Sequence, residues 1–233
     1  MCLRARDELG AEEEQAIRDS VSEIREYRAD KIVIRAGEVL DHSSLLLSGI
    51  ASRYKDLRNG QRQITQLHLA GDFADLHSFT LKRLDHNVMA LTPCVFAIVP
   101  HETLKEITRK YPHLTRVYWF ATNLDAAIHR EWALSLGRRS AISRVAHLLC
   151  ELRVRLSLVG LADETGYDLP LTQTDLAESL GLTSIHINRT LRELREQGVV
   201  AFRSGRVDIS DLASLEKVAE FDACYLYLER RPR

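Results

Sequence analysis

Residues 171–195 read LTQTDLAESLGLTSIHINRTLRELR, a stretch that predicts two short helices joined by a tight turn. Thr172 is a typical N-cap with an acid three residues later, and Gly181 can adopt the left-handed conformation that ends a helix. Thr183 is placed to cap a second helix with an apolar stripe at helical spacing. The stripe consists of Ile187, Leu191 and Leu194. This is the layout of a helix-turn-helix, in which the front of the second helix faces the DNA major groove.

The opposite face of the second helix carries the side chains expected to contact bases or phosphate. These are Ser184, Ile185, His186, Asn188, Arg189 and Arg192. Thr172, Gln173 and Thr183 lie at helix starts, where we expect them to fix the protein on the DNA backbone. The alternative is an ordinary helical hairpin, in which arginines such as Arg192 pair with Glu196 on a solvated surface.

The segment that follows predicts a β-hairpin. Two short apolar runs, 199–202 and 206–209, flank a Ser-Gly turn, and Arg203 and Arg206 stand at its shoulders. A helix-turn-helix followed directly by a two-stranded hairpin indicates a winged helix. DNA binding is therefore favoured over a coincidental helical hairpin.

The overall charge does not by itself point to nucleic acid, since the 233 residues carry a formal net charge of −1. Charge is uneven, however, because residues 137–209 hold ten Arg, no Lys and nine acids. Arginine forms the bidentate contacts that read guanine and hold phosphate. A near-neutral domain can therefore bind DNA if its arginines cluster on one face.

The composition predicts a cytoplasmic protein without a membrane segment or an export leader. No apolar run approaches the ~20 residues that span a bilayer, and the N-terminus is acidic and polar. Cys2, Cys94, Cys150 and Cys224 are widely dispersed, which is typical of free thiols in a reducing compartment. No nucleophile–base pair, phosphate loop or zinc pattern stands out, so an enzyme or a metal site is not expected.

The first half of the chain predicts a helix followed by an antiparallel barrel or sandwich. Residues 1–30 are expected to be helical, chiefly over 11–27, with Ile17, Val21 and Ile24 on one apolar face. Strand-length segments separated by turn residues follow, and Asn59-Gly60 is the strongest hairpin signal. A short helix from His101 to Lys110 closes this part.

A long helix is predicted from Pro112 to about Leu136. Its apolar residues repeat at three- and four-residue spacing: Leu114, Val117, Ala121, Leu124, Ile128 and Trp132. This seam packs on the strand domain, on a second copy or on both, and a dimer is favoured because a two-fold partner adds a second half-site. Residues 137–139 are the predicted hinge, and Ser210 is expected to cap the terminal helix.

The order of these parts resembles the CRP/FNR family of bacterial transcription regulators over nearly the whole chain. The residues that carry the resemblance are GLTSIHINRTLREL (181–194), Val199-Val200, LLLSG (45–49) and LAGDFADL (69–76). It implies an α+β fold with an N-terminal antiparallel β-roll, a double-stranded β-helix of the cyclic-nucleotide-binding type. A long dimerisation helix and a C-terminal winged helix-turn-helix follow. The implied segments are 1–111, 112–136 and 137–233.

The resemblance also implies a homodimer that binds a palindromic operator in double-stranded DNA, contacts RNA polymerase and uses the β-roll as a sensor. A sequence-specific transcription regulator is therefore the expected function. The alternative is a small-molecule-binding or protein-interaction module that does not bind specific DNA sequences.

One departure from the family pattern concerns the signal. Where cyclic-nucleotide-binding members have Gly-Glu and Arg-Ser, this chain has Asp75-Leu76 and roughly Leu84-Asp85, and a carboxylate repels a cyclic phosphate. Cyclic AMP is therefore not expected. The residues considered for an effector pocket are Asp75, Leu76, His77, Arg83 and Asp85. Cys2 lacks the neighbouring cysteines of iron–sulfur members, while a haem on a β-roll histidine stays open.

A second departure lies in the reading helix. The family commonly has Arg or Glu at the positions of Ser184 and Ile185 and Arg at that of Arg189, and only Arg189 matches. We expect Arg189 to contact guanine in a bidentate manner, which is worth ~1–3 kcal/mol of discrimination. Ile185 is suited to packing on a thymine methyl group.

Overall fold

Two antiparallel sheets form the N-terminal half of the chain in the computed structural model, which describes residues 6–231. The strands of the first sheet, in spatial order, are β1 (Glu23–Tyr27), β7 (Cys94–Pro100) and β3 (His42–Ser48). Those of the second are β2 (Lys31–Ile34), β6 (Asn87–Ala90), β4 (Ala51–Asp56) and β5 (Arg62–His68). Buried side chains such as Leu46, Val88 and Phe96 form a common apolar core, as the predicted β-roll requires.

The first helix is shorter than the apolar periodicity predicted. α1 (Ala11–Asp19) ends where the hydroxyl of Ser20 donates to the carbonyl of Ile17, 2.6 Å away. The chain then becomes β1, which pairs with β7 from Glu23 opposite Ile98 onwards. Ile24 is 54% exposed, so the prediction of a helix over 11–27 is wrong beyond Asp19. The apolar spacing of this segment also fits a helix, but hydrogen bonding to β7 makes it a strand.

Four helices lie between β5 and the C-terminal part of the chain. α2 (Ser78–Leu81) lies between β5 and β6, and α3 (His101–Lys110) follows β7 as predicted. α4 (Pro112–Arg138) is one continuous helix that passes through Gly137, so the helix ends within the predicted hinge at 137–139, and a hinge movement there stays a prediction. A single glycine costs a helix only about 1 kcal/mol. The break comes at Ser140, whose hydroxyl accepts from the Ser143 amide and caps α5 (Ala141–Ser157).

Most of the apolar stripe of α4 is buried inside the chain. Leu114 and Val117 are part of an apolar core, and Ile128 and Trp132 are also buried. Ala121 and Leu124 are only half-buried, so a dimer seam that includes this stripe stays a prediction. A helix that packs on its own domain turns its most apolar face inward. On the opposite face, Trp119 is 67% exposed.

The C-terminal part contains the predicted winged helix-turn-helix. Its elements are α6 (Gln173–Leu180), α7 (Ser184–Glu196), β9 (Val200–Arg203) and β10 (Arg206–Ile209). A third strand, β8 (Gly166–Asp168), pairs with β10. The sequence does not predict this strand, because three residues carry no usable periodicity. α8 (Leu212–Ala219) is capped by Asp211 instead of Ser210, since the Asp211 carboxylate accepts from the Ser214 amide. A 3-10 turn (Ala223–Leu226) follows.

The described residues divide by their internal packing into two units. One comprises residues 6–55, 67–127 and 227–231, and the other comprises residues 56–66 and 128–226. The boundary within α4 therefore falls after Ala127, and the three segments expected from the sequence stay a prediction. Within residues 6–231, no helix is long and apolar enough to cross a membrane.

Candidate DNA interface

The start of α6 is fixed by reciprocal hydrogen bonds. The Thr172 hydroxyl accepts from the Asp175 amide at 3.1 Å, while the Asp175 carboxylate accepts from the Thr172 amide at 2.7 Å. At the other end Gly181 has φ +60°, the left-handed conformation in which the chain turns towards α7. The predicted capping box and glycine turn are both present, and they set the angle between the two helices.

α7 is anchored by the stripe that the sequence predicted. Ile187, Leu191 and Leu194 are buried, together with Thr190. The helix starts at Thr183, whose hydroxyl accepts from the His186 amide at 3.2 Å. Burial of one face leaves the opposite face of α7 on the surface.

The exposed face of α7 borders an open groove of about 450 Å³. The residues that line it are Gln173, Asn188, Arg189, Leu191, Arg192, Arg195 and Phe202. Ile185, one helical turn before Arg189, is 80% exposed. The sequence did not predict Arg195 or Phe202 on this surface. The three-residue spacing of Arg189, Arg192 and Arg195 is the signal that could have added Arg195.

The arginines of this surface differ in their partners. Arg192 Nε donates to Glu196 at 2.7 Å, which is the surface pairing that an ordinary helical hairpin would also show. Arg206 donates to Asp208 at 2.9 Å and to Asp168 at 3.1 Å, so this wing residue is tied into its own sheet.

Two arginines on this surface have no carboxylate partner. Within residues 6–231, the structure assigns no polar partner to the exposed side chains of Arg189 and Arg203, whereas Arg195 interacts electrostatically with Glu196. An arginine without a carboxylate partner keeps its donors for phosphate or guanine. Arg189 and Arg203 are therefore better placed for DNA than Arg192 and Arg206.

The residues considered for an effector pocket occupy different settings in the β-roll. Asp75 is buried and accepts from the Ser44 amide at 2.5 Å, whereas Leu76 belongs to an apolar core. Arg83 is exposed and donates to the Gly37 carbonyl at 3.2 Å. Asp85 is also on the surface, where its hydrogen bonds from Lys55 and then His86 hold its pKa far below the usual range. Leu76 and Arg83 thus lie in different surroundings, and an effector pocket formed by these residues stays a prediction.

A partly buried ion pair near these residues has no signal in the sequence. Arg53 Nη1 donates to Asp125 Oδ2 at 2.9 Å, and Arg53 Nη2 donates to the Ala74 carbonyl at 3.1 Å. Burial opposes ionisation of Asp125, but the positive charge of Arg53 keeps its pKa below the ordinary value. The ring of His77 lies 5.4 Å from that of His86 beside this pair. No group of three or more His, Cys, Asp or Glu within the described chain is arranged to hold a metal ion.

Asp75 is expected to make the protein less stable as pH rises from about 4 to about 7. Burial raises its pKa from 3.8 to about 7, so the folded state keeps a proton that the unfolded chain releases in this range. The contribution of Asp75 to the free energy of unfolding is fully present below about pH 4 and is lost towards pH 7. Three pKa units correspond to a change on the order of 4 kcal/mol.

The measurement is the free energy of unfolding against pH for the wild type and Asp75→Asn. His77 acts in the opposite direction, because burial and the charge of Arg53 lower its pKa to about 4. Comparison of the wild type with the variant separates the effect of Asp75 from that of His77, since His77 is present in both proteins. The advantage of the wild type over the variant should shrink as pH rises. A constant difference between pH 4 and 7 would contradict the assignment.

The fold and the exposed face of α7 define a class of protein, the DNA-binding regulators that join a winged helix to an antiparallel β-domain. Residues 143–218 match the Crp-like helix-turn-helix domain, and residues 24–111 match the cyclic nucleotide-binding domain. The chain is 31% identical over 217 residues to the transcriptional activator protein FnrL of Cereibacter sphaeroides, covering 91% of this chain and 86% of that protein.

A second relative and a solved structure are similar to the chain over most of its length. The nitrogen fixation regulation protein FixK of Bradyrhizobium diazoefficiens is 32% identical over 179 residues, which are 75% of this chain and 72% of FixK. The structure of FixK2 from Bradyrhizobium japonicum matches with a TM-score of 0.78 at 25% identity, covering 86% of this chain and 98% of that one.

The chain therefore belongs to the CRP/FNR family of bacterial transcription regulators, which confirms the resemblance inferred from the sequence. It is a DNA-binding transcription regulator with the α+β fold that the sequence predicted. A module without DNA binding is not favoured. The family is one of regulators and not of enzymes.

Proposed function

We propose that this regulator binds a palindromic operator as a homodimer and reads each half-site with the front of α7. The observation that supports this most strongly is the exposed pair of Ile185 and Arg189, which lie one helical turn apart on the same face with no polar partner for Arg189 within residues 6–231. Arg189 would donate to guanine O6 and N7, and Ile185 would pack on a thymine methyl group.

The remaining residues of this face have supporting roles in the proposal. Ser184 and His186, at the start of α7, would contact bases or phosphate nearby. Thr172 and Thr183 would place the helix starts against the DNA backbone, where helix N-termini favour anions. Arg203 would hold phosphate from the wing, whereas Arg192 and Arg206 would reach DNA only if they leave their acidic partners.

Footprinting on genomic fragments at moderate salt tests this function. Protection of discrete, two-fold symmetric sites supports it. If no fragment is protected, with or without candidate effectors, the proposed operator binding fails. The salt dependence of binding separates specific sites from the electrostatic background.

The dimer contact is proposed on the exposed face of α4. Residues on this face recur at alternating four- and three-residue spacing: Trp119, Asn123, Ala126, Arg130 and Ala133. This is the spacing of a coiled-coil seam, in which small residues allow close approach and a polar residue such as Asn123 fixes register. Phe120, beside this face, packs edge-on against Tyr227 at 6.2 Å between ring centroids.

Trp119→Glu is expected to convert the protein from dimer to monomer, because it places a charge where the largest apolar side chain of this face would be buried. Sedimentation at micromolar concentration measures this. Leu57→Glu is the matched control, since Leu57 is 62% exposed but lies on the β4–β5 turn, and it should leave the dimer intact. A wild-type monomer, or a dimeric Trp119→Glu variant, would contradict this interface.

The proposal also assigns a role to each of the three segments implied by the family resemblance. Segment 1–111 would receive a signal, 112–136 would hold the dimer and 137–233 would bind DNA in the cytoplasm. Contact with RNA polymerase would make the bound dimer a regulator of transcription, and the relative FnrL carries the name of an activator. No enzymatic step is proposed, and cyclic AMP is not proposed as the signal, since Asp75 is buried and Asp85 is paired.

A further inference from the structure

The first residue of α6 is joined to the recognition helix α7 by two reciprocal side-chain hydrogen bonds. Gln173 Nε2 donates to Asn188 Oδ1 at 2.7 Å, and Asn188 Nδ2 donates to Gln173 Oε1 at 2.5 Å. Asn188 Nδ2 also donates to the carbonyl oxygen of Ser184 at 3.2 Å. This last contact fixes which end of the amide is the NH₂ group, because a carbonyl oxygen accepts only from a donor.

The arrangement engages every donor of Asn188. An asparagine amide has two N–H donors and an oxygen that can accept two hydrogen bonds. Gln173 and Ser184 take the two donors, and Gln173 takes one of the two acceptor positions. Asn188 can therefore accept one more hydrogen bond but cannot donate one. Gln173 keeps one N–H, which is enough for a phosphate oxygen.

This changes what Asn188 can read in the major groove. A free asparagine recognises adenine with two hydrogen bonds, donating to N7 and accepting from the N6 amino group. An asparagine that only accepts can bind the amino group of adenine N6 or of cytosine N4, and it no longer distinguishes the two by N7. Asn188 directly precedes Arg189 and lines the same groove, so the difference applies at the DNA surface.

We propose that Gln173 is a positioning residue for base recognition, which restricts Asn188 to accepting a hydrogen bond from a base amino group next to the guanine of Arg189. The inference rests on the proposed reading of DNA by α7. Gln173 thereby has a second role beside phosphate contact: it holds one N–H of Asn188. Removal of the Gln173 amide would free that N–H to donate to adenine N7.

The test uses the full chain and an operator recovered by selection from random duplex DNA. Competition binding is measured on four operators that differ only in the base pair next to the Arg189 guanine. The wild type should bind adenine and cytosine in that strand with similar affinity and the other two bases more weakly. Gln173→Ala should favour adenine over cytosine about fivefold or more, the range of one added base contact.

Two further variants show whether the effect passes through Asn188. In the Asn188→Ala background, Gln173→Ala should leave the four affinities in the same ratios. Thr174→Ala is the matched control, since Thr174 is the next exposed residue of α6 and has no side-chain hydrogen bond within the described chain, and it should retain the wild-type ratios. Asn188→Ala alone should remove the preference for amino-bearing bases.

Each outcome decides the inference. An unchanged adenine-to-cytosine ratio in Gln173→Ala overturns the positioning role of Gln173. If the affinity of that variant also falls equally on all four operators, Gln173 is a phosphate contact only. A changed ratio in the Asn188→Ala background, or an Asn188→Ala profile equal to that of the wild type, overturns it as well. If the wild type selects no operator, the proposed function fails and this inference falls with it.

Discussion

Arg189→Ala is expected to remove the preference for guanine at one base pair of each half-site while the protein stays folded. The side chain is exposed, so its loss leaves no cavity, and a bidentate contact to guanine is worth ~1–3 kcal/mol of discrimination. Binding is measured on operators carrying each of the four bases at that pair. Their affinities should become equal in the variant.

Arg195→Ala provides the matched comparison. Arg195 is also exposed and lines the same groove, but it stands six residues further along α7, away from the front that faces the bases. Its loss should weaken all operators alike and reduce the salt dependence of binding. If Arg189→Ala behaves in this uniform way, Arg189 contacts phosphate and the proposed base reading is wrong.

Glu151→Ala is expected to lower the free energy of unfolding by about 3–5 kcal/mol, the cost of breaking a buried ion pair from one side. Glu151 Oε1 accepts from Arg155 Nη1 at 2.9 Å, and both side chains are buried. Its Oε2 accepts from Trp132 Nε1 at 3.0 Å and from the Tyr225 hydroxyl at 2.9 Å. One carboxylate therefore joins α4, α5 and the C-terminal 3-10 turn.

Denaturant unfolding measures this loss, which is a large part of the 5–15 kcal/mol that keeps a typical protein folded. Glu196→Ala is the control, because Glu196 pairs with Arg192 at 2.7 Å on the surface, where an ion pair contributes little. That variant should unfold like the wild type. Equal stability of Glu151→Ala and the wild type would show that the buried pair does not hold these elements together.

Local signals in the sequence predicted the local structure well. Thr172, Gly181 and Thr183 act through contacts within a few residues of themselves, so caps, turn and both helices of the DNA-reading motif could be predicted from spacing alone. Asn59-Gly60 likewise marks the turn between β4 and β5, with Gly60 at φ +84°. Such features depend on backbone conformation and not on distant partners.

Contacts between distant parts of the chain could not be predicted in the same way. Arg53 and Asp125 are 72 residues apart, and only packing of β4 against α4 brings them together. The apolar stripe of α4 predicted a buried face but not which partner buries it, so packing within the chain and contact with a second copy could not be told apart. The pairing of Gln173 with Asn188 depends on the angle between α6 and α7, which spacing along the chain does not give.

Selection of binding sites from random duplex DNA by the full chain, at moderate salt, shows directly whether α7 reads DNA as part of a two-fold dimer. We expect an inverted repeat with half-site centres about 10–10.5 base pairs apart, and a guanine in each half-site whose preference disappears in Arg189→Ala. Enrichment of no sequence, or of a single unrepeated site, would contradict the two-fold reading of DNA by α7.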